Sequence, residues 1–313
     1  MLKILFMGTP DFATACLKKL VEDGQNVCGV FTKPDKQSGR GMKVSVSDVK
    51  KYALEKGLDI FQPETLKDGA ILDILEQKKP DIIVVVAYGK ILPRYVLDFP
   101  KYGCINVHGS LLPEYRGASP IQRAVMDGKK VTGVTTMYLA DGVDTGDMLL
   151  KAEYEIGEND NTGKVFDDLA QLGAELLLKT LEGIEKGNIT PVKQDDALAT
   201  HAEKITNEEC AVSFDYDASM VHNKIRGLYP FPGAFCYVAG KILKLCESRR
   251  LDKEFEGRIG EVVETSKEGV TVKCKSGSVL LKRLKPEGKG EMNAFDLVNG
   301  RKISLGDVLS PTL

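Results

Sequence analysis

The sequence predicts a doubly wound, mostly parallel, Rossmann-like α/β domain followed by a small, OB-like β-barrel. In the first half, short runs that are apolar on both faces alternate with amphipathic segments of helical length, as in a parallel sheet covered on both sides. From residue 208 onward, one helix precedes short alternating strands divided by glycine-rich turns, which is typical of a small barrel.

The strands of the first half are short and each is followed by a helix-length segment. We expect them at 3–8, 26–32, 59–63, 81–89 and 103–110. The first helix follows 3–8, because Phe12, Cys16, Leu17 and Leu20 recur at helical spacing. Further helices are expected after the second strand, over roughly 64–78, near 93–98, after 118 and over 162–186, with a hairpin before the last of them.

The chain is long enough for two domains. Residues 188–207 lack a sustained apolar stripe and are interpreted as a linker. This gives a catalytic domain at 1–187, a linker at 188–207 and a C-terminal barrel at 208–313.

Composition favours a globular cytoplasmic protein. The chain is 42% hydrophobic and 28% charged, which suits a full core. Its seven cysteines are odd in number and form no C-x-x-C pair, so we expect buried thiols rather than disulfides or a zinc site. The N-terminus enters a strand pattern directly, and the longest apolar run, 82–87, has the length of a strand.

Charge is unevenly distributed. The net charge is −2, yet residues 32–51 hold six Lys or Arg against two Asp. A polyanionic partner would have to bind this local patch, although a short run of basic residues is more often a solvated loop.

A nicotinamide site is the first idea for such a fold, and the first strand-to-helix turn, "MGTPDFA", argues against it. The second glycine of G-x-G-x-x-G lets the backbone approach the pyrophosphate, and Pro10 stands there instead. Pro10 also removes an N–H donor.

The stretch "CINVHGSLLPEYRGASP" carries the polar groups of interest. Asn106 and His108 end the fifth predicted strand and, two residues apart, face the same side. Pro113 then fixes a turn whose Ser110–Leu112 backbone and leucines suit a flat heterocycle. Further on, "LADGVDTGDML" predicts a tight loop around Asp144, although spacing alone does not separate it from the neighbouring carboxylates Asp141, Asp147 and Glu153.

Asn, His and a carboxylate without a Ser or Cys nucleophile suit transfer of an activated acyl group to an amine. The amide can donate to a developing oxyanion, the imidazole can donate a hydrogen bond or move a proton, and the carboxylate can orient the imidazole or take a proton from the attacking amine. No second His flanks them, so a His-rich metal site is not expected. On residue types alone, satisfied polar groups at a strand end explain Asn106 and His108 equally well.

The motifs "INVHGSLLPEYRG" and "DGVDTGDML" resemble the folate-dependent formyltransferase family, and the likeness extends over nearly the whole chain. It includes "FMGTPDFA", "TKPDKQSGRGMKV", "VVVAYGKILP" and "LYPFPGAF". The resemblance implies transfer of a formyl group from 10-formyltetrahydrofolate to the α-amino group of methionyl-initiator tRNA, for translation initiation, without a metal.

The resemblance also implies roles for individual residues. Asn106 and His108 would steady the oxyanion, while Asp144 would set the protonation of His108 and help remove the amine proton. The implied folate contacts are Ser110, Leu111, Leu112, Pro113, Tyr88 and Gly89. The implied tRNA contacts are Arg40, Lys36 and Lys43, with the slightly basic C-terminal domain as a second tRNA platform.

Two alternatives stay open. One is a formyltransferase or formyl-folate hydrolase that acts on a small molecule or water and shares the same trio. The other is a catalytically silent tRNA-binding protein, which would not need Asn106, His108 and Asp144 together. No membrane partner is expected, and we expect a monomer.

Overall fold

The computed structural model describes residues 1–38 and 43–313, with side-chain positions for all of these except 36–38 and 43–45. The described residues form two compact units. Unit 1 comprises Met1–Gly117, Gly133–Tyr154 and Phe166–His201, and unit 2 comprises Ala118–Thr132, Glu155–Val165 and Ala202–Leu313. The boundaries 1–187, 188–207 and 208–313 remain our proposal for the functional domains.

The secondary structure alternates in the first half and is mostly strand in the second. The strands are β1 (Lys3–Gly8), β2 (Asn26–Phe31), β3 (Lys36–Ser38), β4 (Lys43–Ser45), β5 (Ile60–Phe61), β6 (Ile82–Val86), β7 (Cys104–His108), β8 (Val131–Tyr138), β9 (Met148–Glu155), β10 (Ala234–Val238), β11 (Lys241–Leu251), β12 (Val262–Ser266), β13 (Gly269–Lys273), β14 (Ser278–Pro286) and β15 (Met292–Asn293). The α-helices are α1 (Asp11–Glu22), α2 (Asp48–Glu55), α3 (Leu72–Lys78), α4 (Arg94–Leu97), α5 (Pro120–Met126), α6 (Thr162–Lys186), α7 (Ala218–Leu228) and α8 (Ala294–Asn299).

The main sheet has the order β5-β2-β1-β6-β7-β8-β9. Its pairs from β5 to β7 are parallel, and β7 pairs with β8 in antiparallel fashion. β6 and β7 are buried at every position, as strands covered on both faces must be. The strand order reverses between β1 and β6, and ligands of such sheets bind outside the carboxyl ends of strands near that point. The predicted doubly wound class is confirmed.

The helix predicted over 64–78 is shorter than expected. α3 begins only at Leu72, because Asp68 and Gly69 have φ angles of 54° and 76° and so cannot continue a right-handed helix. An Asp-Gly pair is a strong turn signal, and the apolar spacing around it concealed that signal.

The sheet of unit 2 has the order β10-β11-β14-β13-β12, with β15 paired to β14. Residues 307–310 then connect its two edges. Tyr237 of β10 donates to Ser310 at 2.7 Å and accepts from it at 3.0 Å, while Val262 of β12 donates to the Asp307 carbonyl at 2.8 Å. The connection closes the antiparallel sheet into a small barrel, as predicted.

α5 and α7 also belong to unit 2 and lie in direct contact. A Cβ at Gly227 on α7 would lie 2.9 Å from the Met126 backbone nitrogen and 2.4 Å from its Cγ. Only glycine therefore permits this close helix approach.

All seven cysteines are unpaired thiols, and every one except the half-buried Cys28 is buried. Burial raises the pKa of Cys16, Cys104 and Cys274 to about 12, so these thiols stay protonated and pack as apolar groups. Of the helices in residues 1–38 and 43–313, none is both long enough and apolar enough for a bilayer span.

Candidate active site

The site lies in unit 1, where β7 ends. β7 is held between β6 and β8, with Asn106 opposite Val85 and His108 opposite Thr135. Both polar side chains are buried, with 9% of Asn106 and 6% of His108 exposed. Buried polar groups at a strand end need partners, so their hydrogen bonds indicate what the site does.

The Asn106 carboxamide makes no hydrogen bond to any residue within 1–38 or 43–313. Its polar atoms are not fully enclosed by the described residues, so the carboxamide reaches a surface that a ligand can contact. An amide with two N–H donors at such a place can bind a carbonyl or alkoxide oxygen.

The two ring nitrogens of His108 face different groups. Nε2 lies 2.9 Å from the Tyr115 carbonyl oxygen, and Nδ1 lies 3.6 Å from Oδ2 of Asp144. A carbonyl only accepts, so Nε2 carries a hydrogen in either protonation state. In the neutral ring, Nδ1 therefore holds the lone pair, and in the charged ring it presents N–H toward the carboxylate.

Asp144 is fixed from both its main chain and its side chain. Oδ2 accepts from the Gly117 backbone N–H at 2.9 Å, and the backbone carbonyl accepts from Gln194 Nε2 at 2.8 Å. Its φ of 54° lies in the left-handed region, which is uncommon for non-glycine residues and which aspartate adopts more readily than most. Among the four carboxylates left open by sequence spacing, this is the one that lies beside His108.

The turn Ser110–Pro113 is tied to the neighbouring strands. Thr135 Oγ1 donates to the Ser110 carbonyl at 2.7 Å and accepts from Leu112 N–H at 3.1 Å. Lys151 Nζ donates to the Leu112 carbonyl. The Leu112 side chain is fully buried with Met137 and Met148, so it belongs to the core. Leu111 and Pro113 are half-buried and keep apolar surface for a ligand.

Tyr88 and Gly89, two of the predicted folate contacts, follow β6. The Tyr88 ring is buried among Ile71, Leu75 and Val96, and its hydroxyl has no partner in the described part of the chain. Burial raises the pKa of Tyr88 to about 12. A folate contact from Tyr88 would therefore have to come from its backbone. At Gly89 a Cβ would lie 2.4 Å from Lys33 Nζ.

Two of the six cations in the basic patch are neutralised by its own acids. Lys50 pairs with Asp35 at 2.6 Å and Lys51 pairs with Asp48 at 2.7 Å. Arg40 lies outside the described residues. The Lys36 and Lys43 side chains are likewise outside them, although the backbones of these two lysines belong to the paired strands β3 and β4.

Three further residues support the site; Arg116 lies within the motif "INVHGSLLPEYRG" without an assigned role, and no sequence pattern indicated the other two. Thr135 holds the 110–112 turn, Gln194 holds the Asp144 loop, and Arg116, 5% exposed, donates to Gln194 Oε1 at 2.9 Å. Gln194 is 50 residues from Asp144 in sequence, within the segment interpreted as a linker, so spacing carried no signal for it.

Comparison with known proteins covers both units. The family described as formyl transferase matches residues 2–181, and the C-terminal domain of formyl transferase matches 204–302. The methionyl-tRNA formyltransferase of Caldicellulosiruptor saccharolyticus is 47% identical over 98% of this chain and 99% of the relative. That of Caldanaerobacter subterraneus subsp. tengcongensis is 45% identical over 98% and 100%.

A solved structure gives the same fold at lower sequence identity. It is the N-formyltransferase of Helicobacter canadensis, in complex with folinic acid and dTDP-3-aminofucose, with a TM-score of 0.66 and 18% identity over 90% of this chain and 99% of the other. The family predicted from the motifs is thus confirmed by identity over almost the entire length. The chain belongs to the methionyl-tRNA formyltransferase family.

Proposed function

We propose that this chain transfers the formyl group of 10-formyltetrahydrofolate to the α-amino group of methionyl-initiator tRNA. The observation that carries the proposal is the Asn106 carboxamide, without a partner in the described chain, beside a His108–Asp144 pair 3.6 Å apart. The names of the full-length relatives support the acceptor, and the folate derivative bound to the structural neighbour supports the donor.

Asn106 stabilises the charge that develops when the amine adds to the formyl carbon. The formyl oxygen then becomes an oxyanion, and the carboxamide of Asn106 is a donor already in place for it. One preorganised donor of this kind contributes roughly 10²–10³-fold in rate.

His108 moves the proton. Transfer requires one proton to leave the amine and one to reach the folate nitrogen released from the formyl group. With Nε2–H held by the Tyr115 carbonyl, Nδ1 is the ring nitrogen that accepts the amine proton. Asp144, 3.6 Å from Nδ1, then faces the positive ring and stabilises it.

The residues around the turn fit a folate. The half-buried Leu111 and Pro113 offer apolar surface to a flat ring. The Ser110 and Leu112 carbonyls each accept a bond from a side chain, and each has a second lone pair for ring amino groups. When bound, the folate supplies the activated formyl group. We assign the contacts of Tyr88 and Gly89 with folate to their backbone groups.

The negative charge of the acceptor tRNA suits the basic patch at residues 32–51. Lys50 and Lys51 are paired, and the patch holds four further cations, Lys33, Lys36, Arg40 and Lys43. We assign Arg40, Lys36 and Lys43 to the phosphates of the tRNA acceptor end, and we place a weaker contribution on the C-terminal barrel. We also propose that the enzyme works in the cytoplasm and that it is a monomer.

Transfer of a labelled formyl group separates this proposal from the small-molecule alternative. Purified protein and labelled 10-formyltetrahydrofolate are offered charged initiator tRNA, uncharged initiator tRNA or a dTDP-linked amino sugar. We expect label only in the charged tRNA. Label in the sugar, or release of free formate without an acceptor, would replace the proposal with the alternative.

A further inference from the structure

A segment outside both family matches runs along the candidate site. The matches end at 181 and resume at 204. Between them, residues 192–201, here called the strap, belong to unit 1. Val192 exchanges two backbone hydrogen bonds of 2.8 Å with Met148, and His201 forms a bridge with Arg116. The strap is thus anchored beside the Asp144 loop at one end and beside the 115–117 turn at the other.

Gln194 is a strap residue whose side chain turns inward. Its Nε2 donates to the Asp144 and Gly146 carbonyls, each at 2.8 Å, and its Oε1 accepts from Arg116 Nε at 2.9 Å. Both amide hydrogens and the amide oxygen are therefore engaged by groups that flank the site. The residue is half-buried, whereas its two chain neighbours are exposed.

The far end of the strap holds the turn that touches both His108 and Asp144. Thr200 accepts from the Tyr115 N–H through Oγ1 at 2.8 Å and from the Arg116 N–H through its carbonyl at 2.8 Å. Tyr115 in turn presents its carbonyl to His108, and the N–H two residues later, that of Gly117, donates to Asp144. The Arg116 side chain joins this turn to Gln194.

We infer that Gln194 is a positioning residue for formyl transfer: it fixes the Asp144 loop and the Arg116 turn so that the carboxylate lies beside His108 Nδ1. The inference rests on the proposed function for its catalytic consequence. Asp144 has a left-handed backbone conformation, with a φ of 54°, which is uncommon for a residue with a Cβ. Without the two bonds from Gln194, the loop can relax and carry the carboxylate away.

Gln194→Met tests the inference because methionine keeps the length of the side chain and removes its hydrogen bonds. Asp196→Asn is the matched control in the strap. It changes the outer partner of Arg116, a carboxylate 2.8 Å from Nη2 with 84% of its side chain exposed, and leaves the Gln194 bonds in place.

The first readout needs no substrate. The chain has only three histidines, so imidazole signals can be assigned by NMR. We expect Gln194→Met to shift the His108 ring signals and to leave those of His222 unchanged, while Asp196→Asn leaves both unchanged. Unmoved His108 signals in folded Gln194→Met would overturn the inference. If Gln194→Met does not fold, Gln194→Asn, shorter by one methylene, is measured in the same way.

The second readout is the single-turnover rate at saturating substrates. Misplacement of a catalytic group by about 1 Å costs roughly 10²-fold, so we expect a reduction of that order in Gln194→Met with little change in folate affinity. In an Asp144→Ala background, Gln194→Met should reduce the single-turnover rate further by less than about twofold, since it acts through Asp144. A full additional reduction in that background would contradict the positioning role. A wild-type protein without transfer activity would count against the proposed function alone.

Discussion

At the scale of single residues, the direction of a side chain decides whether a motif residue can act. Tyr88 follows β6 within the stretch "VAYGKILP", yet its ring lies in the core with Ile71, Leu75 and Val96. Its hydroxyl is enclosed without a partner among the described residues, which is destabilising for a polar group. The motif assigned this residue to folate binding, and spacing alone could not give the direction of its side chain.

Tyr88→Phe should therefore stabilise the protein and leave folate affinity unchanged. Relief of one unsatisfied hydroxyl is worth about 1–3 kcal/mol. Urea unfolding and folate titration measure the two effects. Tyr52→Phe, which removes another enclosed hydroxyl without a partner in the described chain, is the control. Weaker folate binding in Tyr88→Phe alone would show that the hydroxyl reaches the ligand.

The residues with the clearest sequence signal were those at the end of β7. Asn106 and His108 were placed on one face from their two-residue spacing, and both are buried where the strand ends. Asp144 was one carboxylate among four, and its choice depends on a contact with His108 that only the folded loop creates. Gln194 and Thr135 had no signal, because their partners are the backbone groups of distant segments.

At the scale of elements, α7 shows how a buried histidine makes the stability of unit 2 depend on pH. His222 is 3% exposed; Nε2 donates to the Glu158 carbonyl at 3.1 Å and Nδ1 accepts from Ser248 Oγ at 2.9 Å. Desolvation lowers the pKa of His222 below its ordinary value of 6.5, and the cations Arg226 and Arg250 act in the same direction. The neighbouring Glu158 opposes them.

Unfolding of unit 2 should become easier as the solution is acidified below about pH 6.5. The unfolded chain then binds a proton at His222 that the folded chain does not, so the free energy of unfolding falls with falling pH until the lowered pKa is reached. His222→Asn, which cannot titrate, should show a smaller decrease of thermal stability between about pH 7.5 and about pH 5.5. Equal decreases in wild type and variant would contradict this account.

Helices and strands were predictable where burial of one or both faces imposes a regular spacing on the apolar residues. The apolar runs gave the parallel strands, and the apolar stripe gave α6 with the predicted bounds. The short α3 was not predicted because left-handed Asp68 and Gly69 end a pattern whose apolar spacing still looks helical. The closure of the barrel by residues 307–310 was also unpredictable, since it depends on backbone pairing with Tyr237 and Val262.

At the scale of the whole molecule, charge must be concentrated for a chain of net charge −2 to bind a polyanion. The ion pairs of Lys50 and Lys51 leave Lys33, Lys36, Arg40 and Lys43 as the basic residues of the patch that our proposal assigns to this concentration. Phosphate contacts are sequence-independent and sensitive to salt, so they raise affinity for tRNA without affecting a small co-substrate.

Arg40→Ala should therefore raise the KM for methionyl-tRNA and leave the folate dissociation constant unchanged. The salt dependence of tRNA binding should also become less steep, by about 0.7–0.9 in the log–log slope for each phosphate that Arg40 neutralises in the wild type. Lys51→Ala, in the same patch but paired with Asp48, is the control. An unchanged KM and slope in Arg40→Ala would remove the residue from the tRNA site.

The central claim is that Asn106, His108 and Asp144 carry formyl transfer to methionyl-tRNA. Its most direct test is the single-turnover rate of Asn106→Ala and His108→Ala at saturating folate and methionyl-tRNA, with folate binding measured in parallel. We predict a reduction of roughly 10²–10³-fold in Asn106→Ala and roughly 10²–10⁴-fold in His108→Ala, with folate affinity retained in both. Near-normal turnover in either variant, with the folate still bound, would contradict the account.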